Sequence, residues 1–113
     1  MDSENLQPVQ SEVERRQCRR VKFVTQVQCE ALERNEFMTA RDVSTGGMFI
    51  NGRFPLPIDS ELALTFRLYP KDPVITCRAK VVSSRVGQGM GVKFLDLSAE
   101  THQRLQEFVE EVA

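Results

Sequence analysis

Two short segments carry the side chains best suited to chemistry. Glu14-Arg15-Arg16-Gln17-Cys18-Arg19-Arg20-Val21 places four arginines within six residues, where a polar leader gives way to the first alternating apolar run. Arginine is always charged and presents a planar fork of donors that fits phosphates, carboxylates and the Hoogsteen edge of guanine, and it also stacks on bases. An anionic, guanine-bearing ligand is the sharper reading. Solvation of a flexible terminus is the blander one, and the cluster taken alone favours it. The second segment, Asp42-Val43-Ser44-Thr45-Gly46-Gly47, joins an acceptor-only carboxylate to a hydroxyl and paired glycines. Paired glycines permit positive φ and let a ligand approach the backbone closely, yet Ser-Thr-Gly-Gly is also ordinary hairpin chemistry.

Catalysis finds little to work with. His102 is the sole histidine, falls in a helical pattern near the end of the chain, and has no nucleophile placed beside it by a recognisable signature. The acids are plentiful but unpaired by any motif, and no G-x-x-x-x-G-K-[ST] phosphate loop occurs. The expectation is a protein that binds and does not catalyse.

At 113 residues the chain fits one domain, large enough to bury a core without metals or disulfides. A formal charge of -1 argues against general nucleic-acid affinity, so an anion site must be local. Charge is unevenly spread: Asp2, Glu4, Glu12 and Glu14 precede Arg15, Arg16, Arg19, Arg20 and Lys22. Cys18, Cys29 and Cys77 form no C-x-x-C pair and have no histidines at ligand spacing, which argues against a structural metal. With no basic and apolar signal at the start and no run of membrane-span length, a reducing cytoplasm is the expected compartment.

The elements that must position the two segments follow from periodicity. Residues 1 to 14 are polar with Pro8, and read as a mobile tail ahead of a domain over residues 15–113. Val21, Phe23, Thr25, Val27, Cys29 and Ala31 alternate with polar residues in a half-buried strand, and Glu33-Arg34-Asn35-Glu36 reads as a turn. Phe37 to Val43 and Met48 to Asn51 are the second and third strands. Leu62, Leu64, Phe66 and Leu68 form a fourth, and Ile75, Cys77, Ala79 and Val81 a fifth, in which Val81-Val82 breaks the alternation as a bulge would. Met90, Val92 and Phe94 mark a sixth. Six short, evenly spaced strands imply a closed or nearly closed antiparallel β-barrel. Ser98 then caps an amphipathic helix, about residues 98–112, with Thr101, Leu105, Phe108, Val109 and Val112 on its apolar stripe, suited to plug a barrel end or cover a sheet edge.

Taken together, Arg16-x-x-x-Arg20 at the mouth of the first strand and Asp42-x-Ser44-x-x-Gly47 between the second and third resemble the two motifs of the PilZ domain family. Order, placement on a six-stranded barrel with a closing helix, and the echo Met90-Gly91-Val92-Lys93-Phe94 agree over roughly residues 14 to 112. The resemblance implies a bacterial receptor for the second messenger cyclic di-GMP, with no other cofactor. Carried onto this sequence, Arg16 and Arg20 would grip phosphate and the O6/N7 edge of guanine, and Arg15 would stack on or pair with a base. Asp42 would accept from guanine N1 and the exocyclic amine, Ser44 would hydrogen-bond nearby, and Gly46 and Gly47 would keep the turn open.

Arginine directly before the first motif, as at Arg15, goes in this family with an intercalated ligand pair. The implied mechanism is a non-catalytic switch of micromolar affinity, in which ligand orders the arginine arm onto the barrel and alters contact with an unidentified protein partner. Motility and biofilm regulation are the family-level expectation. Two other readings compete. A small barrel binding single-stranded nucleic acid lacks stacking equipment here, with no tryptophan, one tyrosine and several of the seven phenylalanines at core positions. A PilZ-type protein adaptor that has lost the ligand would not be expected to keep both motifs.

Overall fold

The computed structural model describes residues 19–112; the expected tail, and with it Arg15, Arg16 and Cys18, lies outside the described residues. Six strands, β1 (Val21–Ala31), β2 (Arg34–Val43), β3 (Gly47–Asn51), β4 (Glu61–Phe66), β5 (Ile75–Arg85) and β6 (Gly89–Phe94), precede one helix, α1 (Ala99–Val112). All neighbouring strands run antiparallel and close a barrel in the order β1-β2-β3-β6-β5-β4. The architecture is the one expected from strand spacing.

Period-two alternation does the sorting. Val21, Val43, Met48, Val92 and Val81 are laterally paired from β1 through β2, β3 and β6 to β5, and all point inward and are buried. A large aliphatic side chain removed from water in this way contributes about 1.5–3 kcal/mol, so a one-residue slip of any strand would expose a whole row. Three irregularities interrupt the ladders. Phe23 and Val24 together oppose Arg41, Arg41 is the extra residue of β2 against β3, and Val82 is the extra residue of β5 against β6. The last is the bulge that the Val81-Val82 pair announced, and beyond it β5 continues to Arg85.

Two boundaries differ from expectation. Residues 34–36 belong to β2, because Ala31 pairs with Arg34 across a two-residue connection, Leu32-Glu33. Backbone ladder bonds tolerate the polar side chains, and Arg34 binds Glu36 through Nε and Nη2 (2.9 and 2.6 Å) while Nη2 also donates to the Phe54 carbonyl at 2.6 Å. β4 ends at Phe66, although Leu68 is buried as its alternation required.

The seam between β1 and β4 is short, with only Gln28–Glu30 paired to Ala63–Thr65, and a groove of about 440 Å³ opens between the splayed strands. α1 covers the barrel end where β1 begins. Ser98 caps it through the Thr101 amide (3.1 Å), and Leu105, Phe108 and Val109 are its buried residues. Phe108 packs edge-on against Phe23 (5.1 Å between centroids) and Tyr69 (5.3 Å), while Phe66 stacks on Phe94. Val112, expected on the apolar stripe, is exposed at the last residue of α1.

Candidate ligand-binding site

Antiparallel pairing of β1 with β2 brings the start of one strand beside the end of the other: Val21 faces Val43 and Lys22 faces Asp42. Arg20, immediately before β1, therefore lies next to the end of β2. Its Nη1 donates to Asp42 Oδ1 at 2.7 Å across 22 residues of sequence. The two motifs meet on the outer surface of the barrel, with the Asp42 side chain 18% exposed and that of Arg20 48% exposed. Arg19 is exposed. Arg15 and Arg16 cannot be placed, since they fall outside the described residues.

The outward row through Asp42 is Lys22, Asp42, Phe49, Gly91 and Ser83, one residue each from β1, β2, β3, β6 and β5. Because Arg41 is the extra residue at the β2 bulge, it reaches over this row. Its Nε lies 3.5 Å from Asp42 Oδ2, and its Cζ stands 4.0 Å above the centre of the Phe49 ring. Each carboxylate oxygen of Asp42 thus faces a different guanidinium. Lys22 and, on the next outward row, Lys93 opposite Gly47 are exposed and form no salt bridge among the described residues. A chain of net charge -1 in this way carries a local cationic surface around one acceptor. Arg41 and Phe49 were not singled out from sequence, and Lys22 and Lys93 were noted only within the basic run and the Met90–Phe94 echo; the signal for Arg41 was its place directly before Asp42, which becomes meaningful only with the bulge.

Ser44 and the glycines have structural work in the turn after β2. Ser44 is buried; its amide donates to the Gly47 carbonyl at 2.8 Å, and its Oγ accepts from the amides of Gly46 (3.1 Å) and Gly47 (3.2 Å). The hydroxyl thereby closes the turn that holds Asp42 in place. Gly46 and Gly47 are not among the positive-φ glycines, which are Gly87 (84°) and Gly89 (150°). Gly47 is required for a different reason: a Cβ there would stand 2.0 Å from the Val92 carbonyl oxygen of β6. The Gly46 carbonyl accepts from the Phe94 amide at 2.9 Å, which fixes the turn to β6.

The other reactive side chains among the described residues are two cysteines and one histidine. Cys29 and Cys77 are buried free thiols, and desolvation pushes them up to about 12 and about 11, with Glu36 and Asp96 respectively adding to the rise. They stay protonated and unreactive at neutral pH. His102 is exposed on α1, and no group of three or more His, Cys, Asp or Glu that could hold a metal occurs among the described residues. No described helix is long and apolar enough to cross a membrane.

The fold is a six-stranded barrel with a capping helix, on which an arginine before β1 meets an aspartate in a D-x-S-x-x-G turn. The PilZ domain family model matches residues 14–111, and the chain belongs to that family. The family is one of cyclic di-GMP receptors and is regulatory rather than catalytic. Among solved structures the chain is similar to the PilZ domain of YcgR from Escherichia coli, solved with c-di-GMP, at a TM-score of 0.69 and 16% identity, covering 87% of this chain and 91% of that one. It is similar also to the Bacillus subtilis inhibitor of motility MotI/DgrA (TM-score 0.67, 18% identity), covering 81% of this chain and 48% of that one, so that it spans about half of MotI. The PilZ domain of CeSA from a cellulose-synthesizing bacterium follows, at a TM-score of 0.54 and 14% identity, covering 81% and 91%. At these identities the likeness is one of fold. No curated protein matches the sequence.

Proposed function

We propose that the protein is a cyclic di-GMP receptor whose site is built on Arg20 and Asp42, with Arg15 and Arg16 contributed by the segment before Arg19. The observation that carries this reading is the 2.7 Å contact between Arg20 and Asp42, which joins the two motif segments at one place on the barrel. Asp42 offers two oxygens to the N1–H and exocyclic amine of guanine, and Arg20, released from Asp42, turns its fork to a phosphate or to the O6/N7 edge. Lys22 and Lys93 add favourable field for two phosphodiesters without fixing their geometry. Ligand would hold the N-terminal arm against the barrel.

Arg20 stands three residues before Phe23, whose ring touches Phe108 of α1, so movement of the arm has a packed route to the helix and to a protein partner. A nucleic-acid groove is less well supported. Phe23, Phe66, Phe94 and Phe108 are committed to the core, and the exposed Phe37 and Phe54 line a surface that contains neither Arg20 nor Asp42.

Isothermal titration with cyclic di-GMP, against GTP and linear pGpG, is the test. Saturable micromolar binding of the cyclic ligand is expected; its absence at high micromolar ligand refutes the proposal. Arg20→Ala and Asp42→Ala should each weaken binding, whereas a nucleic-acid groove would suffer from the first and tolerate the second.

A further inference from the structure

We infer that Arg41, held over the Phe49 ring, is a base-stacking residue of this site and that Phe49 is the residue that positions it. The inference rests on the cyclic di-GMP reading above and adds a contact that neither motif contains.

The geometry begins with the bulge. In a regular strand, residues 41 and 42 would point to opposite faces; the extra residue at Arg41 puts both on the outside of the barrel. The guanidinium then lies over the Phe49 ring at 4.0 Å, within the range of a cation–π contact. Phe49 is itself fixed from below. It lies opposite Gly91, its Cε2 would be 2.9 Å from a Cβ on Gly89, and its Cδ1 4.0 Å from a Cβ on Gly91, so the ring occupies space that side chains on β6 would otherwise fill. The guanidinium is thus backed by an aromatic ring on a side chain that stays 58% exposed, which leaves it open to a second planar partner.

Its position relative to Asp42 gives that opening a use. Arg41 Nε is 3.5 Å from Asp42 Oδ2, the oxygen not engaged by Arg20. When the carboxylate accepts two donors from a guanine, Arg41 loses that partner but keeps its ring contact, which does not depend on Asp42. A guanine anchored by its edge to Asp42 has a flat cation directly beside it. Arginine planes stack on bases, and such a stack is worth about 5- to 30-fold in affinity.

The test is titration of cyclic di-GMP into Arg41→Ala, Arg41→Lys, Phe49→Leu and the Arg41→Ala/Phe49→Leu double variant, with a melting curve for each. Leucine keeps apolar cover over Gly89 and Gly91 while removing the π face. Arg41→Ala and Arg41→Lys should each weaken binding about 5- to 30-fold, since lysine keeps charge but has no plane. Phe49→Leu should weaken it by a similar factor, and the double variant should be no weaker than Arg41→Ala alone, because both changes remove one stack. Melting temperatures should stay close to that of the unaltered protein. Wild-type affinity in Arg41→Ala, full retention in Arg41→Lys, or additive losses in the double variant would each overturn the stack. An unaltered protein that is silent in the same titration would instead overturn the receptor reading itself.

Discussion

Replacing Gly47 by alanine separates two roles that the sequence could not. If the glycine exists to let a ligand approach, Gly47→Ala should fold normally and lose affinity. The structure gives the opposite expectation. The new methyl carbon would be 2.0 Å from the Val92 carbonyl oxygen, 3.1 Å from its carbon and 3.2 Å from Lys93 Cα, all backbone atoms of β6. Carbon contacts are comfortable at about 3.5–4.0 Å, so β3 and β6 would have to part by more than about 1 Å where Gly47 pairs with Lys93. Backbone cannot rotate away as a side chain can. Overpacking of this kind costs typically 1–3 kcal/mol, and strain on the adjoining ladder and on the Phe94–Gly46 bond brings the expectation to about 2–4 kcal/mol. For a domain of this size that lowers Tm by roughly 8–16 °C. Two other glycines calibrate the result. At Gly91 the obstacle is the Ser83 hydroxyl at 2.6 Å, which can rotate at the expense of one hydrogen bond from the Gly91 amide, and at Gly87 there is open space but φ is 84°. Each should cost only about 1 kcal/mol as alanine. Thermal melts followed by circular dichroism should rank Gly47→Ala well below both; a Gly47→Ala protein melting within about 2 °C of the unaltered one would refute the close-approach argument.

Ser44→Ala leaves the part-buried amide of Gly46 and the buried amide of Gly47 without their acceptor and should cost about 1–3 kcal/mol by urea unfolding; an unchanged midpoint would show that the turn closes without the hydroxyl. Arg20→Ala removes an ion pair whose arginine is half exposed, so stability should fall by no more than about 1 kcal/mol, while affinity for cyclic di-GMP falls about 5- to 150-fold; a stability loss with unchanged affinity would make the pair structural. Cys29 and Cys77 give a pH dependence whose sign is fixed by burial. Their folded values, about 12 and about 11, lie above the ordinary 9.0, so the unfolded chain gives up these protons first as pH rises. Their contribution to stability is complete below pH 9 and is lost progressively from there toward 11–12. Urea midpoints from pH 8 to 11 should fall for the native protein and fall less for Cys29→Ala/Cys77→Ala; equal slopes would show that the thiols are not the groups responsible.

Much of this arrangement was legible because it follows from topology alone. Two consecutive antiparallel strands place whatever precedes the first beside whatever follows the second, so a motif at Arg20 and another at Asp42 had to meet once β1 and β2 were recognised. The core was legible for the same reason, since alternation from Val21 to Ala31 and from Glu61 to Leu68 admits one inward face. What escaped depends on departures from regularity. Arg34 to Glu36 look like a turn in composition, but their backbone is satisfied by β1 whatever their side chains do. The role of Gly47 depends on how near β6 passes, a distance that no local pattern in the Ser-Thr-Gly-Gly segment encodes. Arg41 is a solvent-facing strand residue by periodicity and joins the site only because β2 carries one residue more than β3 at that point.

That extra residue bears on how ligand affinity would arise under the receptor reading. Asp42 does not wait as a bare acceptor; Arg20 holds Oδ1 at 2.7 Å and Arg41 approaches Oδ2 at 3.5 Å. A guanine must exchange with those partners, so its hydrogen bonds to Asp42 yield the difference between two charge-assisted contacts and not a full one. The carboxylate therefore selects the base more than it holds the ligand. Net affinity must come chiefly from groups with no competing partner to give up, the exposed Lys22 and Lys93 and the outward plane of Arg41, while Arg20 exchanges Asp42 for an anion. Asp42→Ala should then relax discrimination between guanine and adenine in the cyclic dinucleotide more than it lowers affinity for cyclic di-GMP, and a competition titration with cyclic di-AMP reads that ratio directly. If Asp42→Ala lowers cyclic di-GMP affinity without narrowing the ratio, Asp42 serves as a scaffold for the arginines and the exchange argument fails.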